Sequence, residues 1–142
     1  MPPLPIEISG LVPLLEVFDR PASVRFYRDI LGFELAMTSE PTSASNYSDW
    51  ALLRGNNLEL MLNAAHERDR RPPAPNATRV AAHKDTALYF GCPDPGAAYR
   101  HLLAHGLDVR EPVVTHYGMK QLYVLDPDGY NVCFQCPANP QS

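Results

Sequence analysis

The feature that most limits what this chain can fold into is a repeat. Asp19-Arg20-Pro21 leads to Leu31-Gly32-Phe33, and roughly 75 residues later Asp94-Pro95 leads to His105-Gly106-Leu107. Each copy opens like a helix, with an Asp side chain able to accept from the orphan first-turn amides and a Pro whose fixed φ suits that turn. Each closes on a Gly, which takes the left-handed conformation that ends helices at little cost. Between these signals Val24, Phe26, Tyr27, Ile30 and Leu31 recur at helical spacing, as do Ala98, Tyr99, Leu102 and Leu103.

Strand-like segments surround each helix in the same order. In the first copy they are Gly10–Phe18, Phe33–Thr38, Tyr47–Leu53 and Leu58–Leu62; in the second, Ala87–Cys92, Leu107–Val114, Lys120–Leu125 and Tyr130–Gln135. Asp126-Pro127-Asp128-Gly129 is a strong turn signal between the last two. The pattern predicts an α+β chain of two βαβββ modules with mixed sheets, spanning residues 8–64 and 85–137 of a single domain, 1–142. Residues 65–84, with Arg71-Pro72-Pro73-Ala74-Pro75, read as a linker or flap, because Pro removes a backbone donor from ladders and helix interiors. One helix covers one face of a four-stranded sheet. The other face of each sheet must find a partner or line a cavity, and function is expected there.

Bulk properties narrow the options. A chain of 142 residues suffices for one core and is short for two independent domains. No apolar run is long enough to span a bilayer. The N-terminal MPPLPIEISG lacks the basic and apolar regions of a secretory signal, which makes a cytoplasmic location the expectation. A net charge of −4 without a basic stripe argues against nucleic acid as a partner. Three cysteines, Cys92, Cys133 and Cys136, suit free thiols in a reducing compartment. Cys133 and Cys136 form a C-x-x-C, but on one strand that spacing turns them to opposite faces, and no second pair completes a zinc site.

Two stretches carry a family resemblance: Val17-Phe18-Asp19…Phe26-Tyr27-Arg28-Asp29-Ile30-Leu31-Gly32-Phe33, and Tyr117-Gly118-Met119…Asp126-Pro127-Asp128-Gly129-Tyr130…Phe134. Both resemble the vicinal-oxygen-chelate superfamily, which includes glyoxalase I, extradiol dioxygenases, and fosfomycin- and bleomycin-resistance proteins. In glyoxalase-type members the metal ligands come from the first and last strands of each module. The resemblance carries those four positions onto Val12, Glu59, Ala87 and Cys133. Val and Ala supply no ligand atom, and one carboxylate with one thiol is a poor set for a hard cation. His101 and His105 stand on the polar side of a helix, His66 and His83 fall in the linker, and His116 sits in a turn within reach of the cleft. The resemblance is therefore closest to the metal-free, bleomycin-resistance-like branch, whose members are homodimers that sequester a drug in shared clefts. It implies no cofactor and no metal.

A two-residue loop at Gly55-Asn56 pairs Leu53 with Leu58, Ala51 with Leu60, Leu52 with Glu59 and Trp50 with Met61. Trp50, Leu52, Glu59 and Met61 then share the cleft face. Val12, Leu14 and Glu16, Tyr89, and Asn131, Cys133 and Gln135 join them from other strands. Trp50, Met61 and Tyr89 also suit a hydrophobic core. Glu59, set among Leu58, Leu60 and Met61, must find a partner, face water, or hold a proton. The expected ligand contacts are Trp50, Glu59, Met61, Tyr89, His116 and Cys133, and the expected ligand is a small aromatic or cationic organic molecule. Drug or metabolite sequestration by a homodimer, and so antibiotic resistance, is the leading expectation. The competing one is a lyase, isomerase or cyclase using Glu59, His116 or Tyr117 as acid or base.

Overall fold

The structure, a computed structural model, describes residues 3–39, 50–66 and 70–138. The first module runs β1 (Leu14–Val17), α1 (Arg20–Val24) continuing into a π-helical segment (Arg25–Ile30), β2 (Glu34–Thr38), β3 (Trp50–Gly55) and β4 (Leu58–Ala64). The second runs β5 (Ala87–Gly91), α3 (Pro95–Ala104), β6 (Val113–Val114), β7 (Met119–Leu125) and β8 (Asn131–Pro137). Both sheets have the same order, β1-β4-β3-β2 and β5-β8-β7-β6. In each, the first strand lies parallel to the last and the remaining pairs are antiparallel. This is the α+β architecture of duplicated mixed sheets that the repeat predicts. Asp19 and Asp94 cap their helices by accepting from Ala22 and Ala97, 3.2 and 3.0 Å away, and Gly32 and Gly106 end them at φ of 92° and 79°.

Four sequence readings are corrected. The strand expected over Gly10–Phe18 begins only at Leu14, after Pro13. Pro13 has no N–H and contributes only its carbonyl, accepting from Met61 at 2.9 Å. The strand expected over Leu107–Val114 shrinks to Val113–Val114, as Leu107 and Val109 pack against the core and Pro112 interrupts the ladder. The segment read as linker or flap contains a helix, α2 (Ala77–Ala82), and a 3₁₀ turn (His83–Asp85). The prolines stop at Pro75, which leaves Asn76 free to cap α2 by accepting from Arg79 N–H at 3.0 Å.

The fourth correction is to the β3–β4 hairpin. Its loop is Asn56-Asn57, at φ of 47° and 66°, so Leu53 pairs with Leu60 and Leu52 with Met61. Asparagine tolerates the left-handed region that a two-residue hairpin turn requires twice. The pairing moves by two residues, and side chains alternate with period two, so Trp50, Leu52, Glu59 and Met61 keep the common face expected of them. Residues Tyr47–Asp49, the expected start of β3, lie outside the described residues.

Leu15, Val17, Ala51, Leu53, Leu60 and Leu62 bury the other face of the first sheet under Val24, Phe26 and Tyr27. Leu122, Val124 and Val132 of the second sheet and Leu102 of α3 belong to the same cluster, so one core serves both modules. The buried Tyr27 hydroxyl donates to Asp126 Oδ2 at 2.8 Å across the module boundary. Burial first, and the adjacent Asp126 carboxylate second, hold the Tyr27 phenol well above its ordinary range.

Tyr27→Phe strands one buried carboxylate oxygen, and the expected loss is about 1–3 kcal/mol in urea unfolding. Because the folded phenol holds its proton more tightly than the unfolded one, its contribution is complete below pH of about 10 and is lost as pH rises beyond. The substitution should flatten that alkaline decline. Face assignment has its own test. Leu53, fully buried, should cost about 2–5 kcal/mol as Leu53→Ala. Trp50→Ala, on the uncovered face, should cost less by the same measurement; an equal loss would place the indole in the core.

Candidate ligand site

Alternation leaves each sheet with one face that its helix does not cover. On the first sheet the middle row is apolar, with Leu14, Met61 and Leu52 side by side on neighbouring strands. The next row toward one end is Glu16, Asn63 and Trp50, and toward the other end Glu59 stands opposite Arg54. Both carboxylates have partners. Arg54 Nη2 donates to Glu59 Oε2 at 2.9 Å, and Asn63 Nδ2 donates to Glu16 Oε1 at 3.1 Å. Of the fates open to Glu59 in the sequence, the structure selects a partner, at a half-exposed surface pair whose energetic value is small.

The second sheet is different in kind. Its uncovered face carries Tyr89, Cys133 and Tyr123 in one row, and Gln135 beside Gln121 in the next. None of these side chains carries a charge. The Tyr89 and Tyr123 hydroxyls meet at 2.7 Å, with their rings edge to face at 6.2 Å. Gln121 Nε2 donates to Gln135 Oε1 at 2.9 Å and to the Tyr117 hydroxyl at 3.2 Å. The tyrosine rings remain exposed, Tyr89 by 53% and Tyr123 by 43%. The hydroxyl of Tyr89 bonded to it, and then burial, hold the Tyr123 phenol above its ordinary range, so it stays a hydrogen-bond donor at neutral pH. Beside this row a cavity of about 470 Å³ opens between β7 and the stretch before β6, lined by Tyr123, Gln121, Asn131, Leu125, Arg110 and Thr115. That volume suits a small organic ligand.

The expected contact residues therefore divide. Trp50, Glu59 and Met61 share the uncovered face of the first sheet, and Tyr89 and Cys133 that of the second. His116 is exposed in the turn before β7, its ring edge-on to Tyr117 at 5.1 Å. Cys133 is fully buried beneath the tyrosine pair, so its thiol is not part of the exposed surface, and burial raises its pKa. Tyr123, Gln121 and Tyr117 were absent from the expected contacts; Gln121-Leu122-Tyr123-Val124-Leu125 alternates in a way that marks the first two as face residues. Contacts between the modules within one chain come from elsewhere, among them Tyr27 to Asp126, Phe33 against Phe90, and His101 Nε2 with the Ile30 carbonyl at 2.6 Å.

The donor set does not fit a superfamily metal. Val12 and Ala87 offer no donor, Glu59 is held by Arg54, and Cys133 lies under two tyrosines. Ala87 moreover pairs with Asn131, and Cys133 with Tyr89. Among the described residues no group of three or more His, Cys, Asp or Glu could hold an ion. No helix among them is long and apolar enough to cross a membrane.

Comparisons with solved structures give the same fold. A bleomycin resistance determinant encoded on transposon Tn5 matches with a TM-score of 0.67 at 18% identity, covering 93% of this chain and 100% of its own. TnmS3, an antibiotic binding protein from Streptomyces sp. CB03234, gives 0.65 at 22% identity, covering 93% of this chain and 98% of its own. A bleomycin-binding protein from bleomycin-producing Streptomyces verticillus, solved with copper(II)-bleomycin, gives 0.63 at 22% identity, covering 91% of this chain and 96% of its own. Among curated proteins none matches significantly. The family profile of the Glyoxalase/Bleomycin resistance protein/Dioxygenase superfamily matches residues 13–134. That match spans both duplicated sheets and most of the chain, and the chain belongs to the glyoxalase/bleomycin resistance/dioxygenase superfamily.

Proposed function

We propose that the protein is a metal-free small-molecule binding protein of the bleomycin-resistance-like type, which sequesters a drug or metabolite in the cytoplasm and so serves antibiotic resistance or metabolite handling. The observation that carries this reading is the second sheet's uncovered face, where aromatic rings and neutral hydrogen-bonding groups stand exposed around a cavity, while two of the four positions that the resemblance assigns to metal, Val12 and Ala87, hold residues without donors. The relatives described as binding bleomycin or an antibiotic support it through their shared fold.

The same reading takes the protein as a homodimer. Within one chain the two modules are joined through their common core, which leaves both uncovered faces available. Leu14, Tyr89, Tyr123, Leu125 and Val113 are each more than two-fifths exposed, a large apolar area for a chain standing alone. A two-fold partner would set the first sheet of one chain against the second sheet of the other and close two equal clefts. Trp50, Glu59, Met61 and the Tyr89–Tyr123 pair would then line the same cavity. An aromatic ligand fits this lining better than a cation does, because Glu59 and Glu16 are already paired.

Light scattering at micromolar concentration should give twice the chain mass; a monomer would remove the shared cleft. Untargeted mass spectrometry of molecules that co-purify should return a small organic compound that quenches or shifts Trp50 emission when added back. Elemental analysis should find less than stoichiometric transition metal, and a chelator should leave the melting temperature unchanged, since no metal is coupled to folding. About one nickel, zinc, iron or manganese per chain would overturn the metal-free assignment.

A further inference from the structure

The tyrosine pair has a proton to spare. The Tyr89 and Tyr123 hydroxyls meet at 2.7 Å on the uncovered face of the second sheet. Each hydroxyl carries one proton, and the link between them uses one of the two. Whichever hydroxyl accepts keeps its own O–H free, and both residues are exposed, Tyr89 by 53% and Tyr123 by 43%.

We propose that this face recognises a flat, uncharged aromatic molecule that carries a hydrogen-bond acceptor such as a ring carbonyl, with the free O–H of the Tyr89–Tyr123 pair donating to it. The inference rests on the ligand-binding reading above and gives it a chemical class. The ring system stacks against Tyr89 and Tyr123, whose exposed faces supply contact area at little cost in side-chain entropy. The acceptor takes the one O–H that the tyrosine pair leaves free. Around it Gln135, Gln121 and Asn131 hydrogen-bond but carry no charge. Asp108, Arg110 and Glu111, of mixed sign, stand only at the exposed cavity wall. A cation would gain ring contact without a carboxylate to neutralise it. An anion would gain one hydrogen bond without a committed cation.

Three tricyclic probes separate these cases by equilibrium dialysis against the full-length protein, each up to its solubility limit. They are 9-fluorenone, flat and neutral with a carbonyl; fluorene, flat and neutral without an acceptor; and N-methylacridinium, a flat cation. The expected order places 9-fluorenone about tenfold tighter than fluorene, with N-methylacridinium weaker than 9-fluorenone. The double substitution Tyr89→Phe with Tyr123→Phe keeps both rings and removes both hydroxyls. It should weaken 9-fluorenone about five- to tenfold and leave fluorene within about twofold. Tyr89→Phe alone should weaken it less, because the Tyr123 hydroxyl, left without its partner, offers its own O–H. Equal losses for fluorene and 9-fluorenone would show that the tyrosines only pack, and tightest binding of N-methylacridinium would assign the face to cations. Either result overturns this inference and leaves ligand binding standing. Failure of all three probes to bind overturns the ligand-binding reading and the inference together.

Discussion

Two buried aspartates in one turn hold the molecule together. Asp126 Oδ1 accepts from the Asp128 and Tyr130 amides, both at 2.9 Å, while its other oxygen takes the Tyr27 hydroxyl. Asp128 Oδ1 accepts from Phe18 N–H at 2.9 Å, at the end of β1, 110 residues away in sequence. Burial of Asp126 raises its pKa against the lowering effect of those three donors. A carboxylate placed there costs desolvation, which its partners on both modules offset. If those partners part, the carboxylates lose their donors, so the turn ties the modules into one cooperative unit.

The segment between the modules completes this clamp. Arg79 reaches Asp128 Oδ2 at 3.2 Å and also donates to the Glu16 carbonyl. His83 approaches the Asp128 carbonyl at 2.6 Å and lies flat on Tyr130, ring centres 3.9 Å apart. Tyr130 in turn donates to Glu16 at 2.9 Å. Gly129 is needed twice over: its φ is +89°, and a Cβ there would lie 2.9 Å from the Val80 carbonyl oxygen. The clamp gathers the helix-covered sides into a common core, which is why the other face of each sheet stays uncovered within the chain.

How much of this the residues announce differs between elements. The capped helices at Asp19 and Asp94, the glycines that end them, and the order of strands are local, and a period of two fixes which side chains share a face. Even the misplaced hairpin loop kept Trp50, Glu59 and Met61 together, because the error was an even number of residues. Helix α2 was hidden by the prolines before it. Its stability comes from contacts with Asp128, Gly129 and Tyr130, which lie far along the chain.

The sequence by itself determined the duplicated α+β fold and the absence of donors at Val12 and Ala87, since caps, turns, alternation and side-chain chemistry act within a few residues. Only the tertiary structure decided that Glu59 is already paired with Arg54, that Cys133 lies beneath two tyrosines, and that the hydroxyls of Tyr89 and Tyr123 meet. Each of these depends on which strands become neighbours across a sheet. That choice is made by burying a shared core, and no local pattern encodes it.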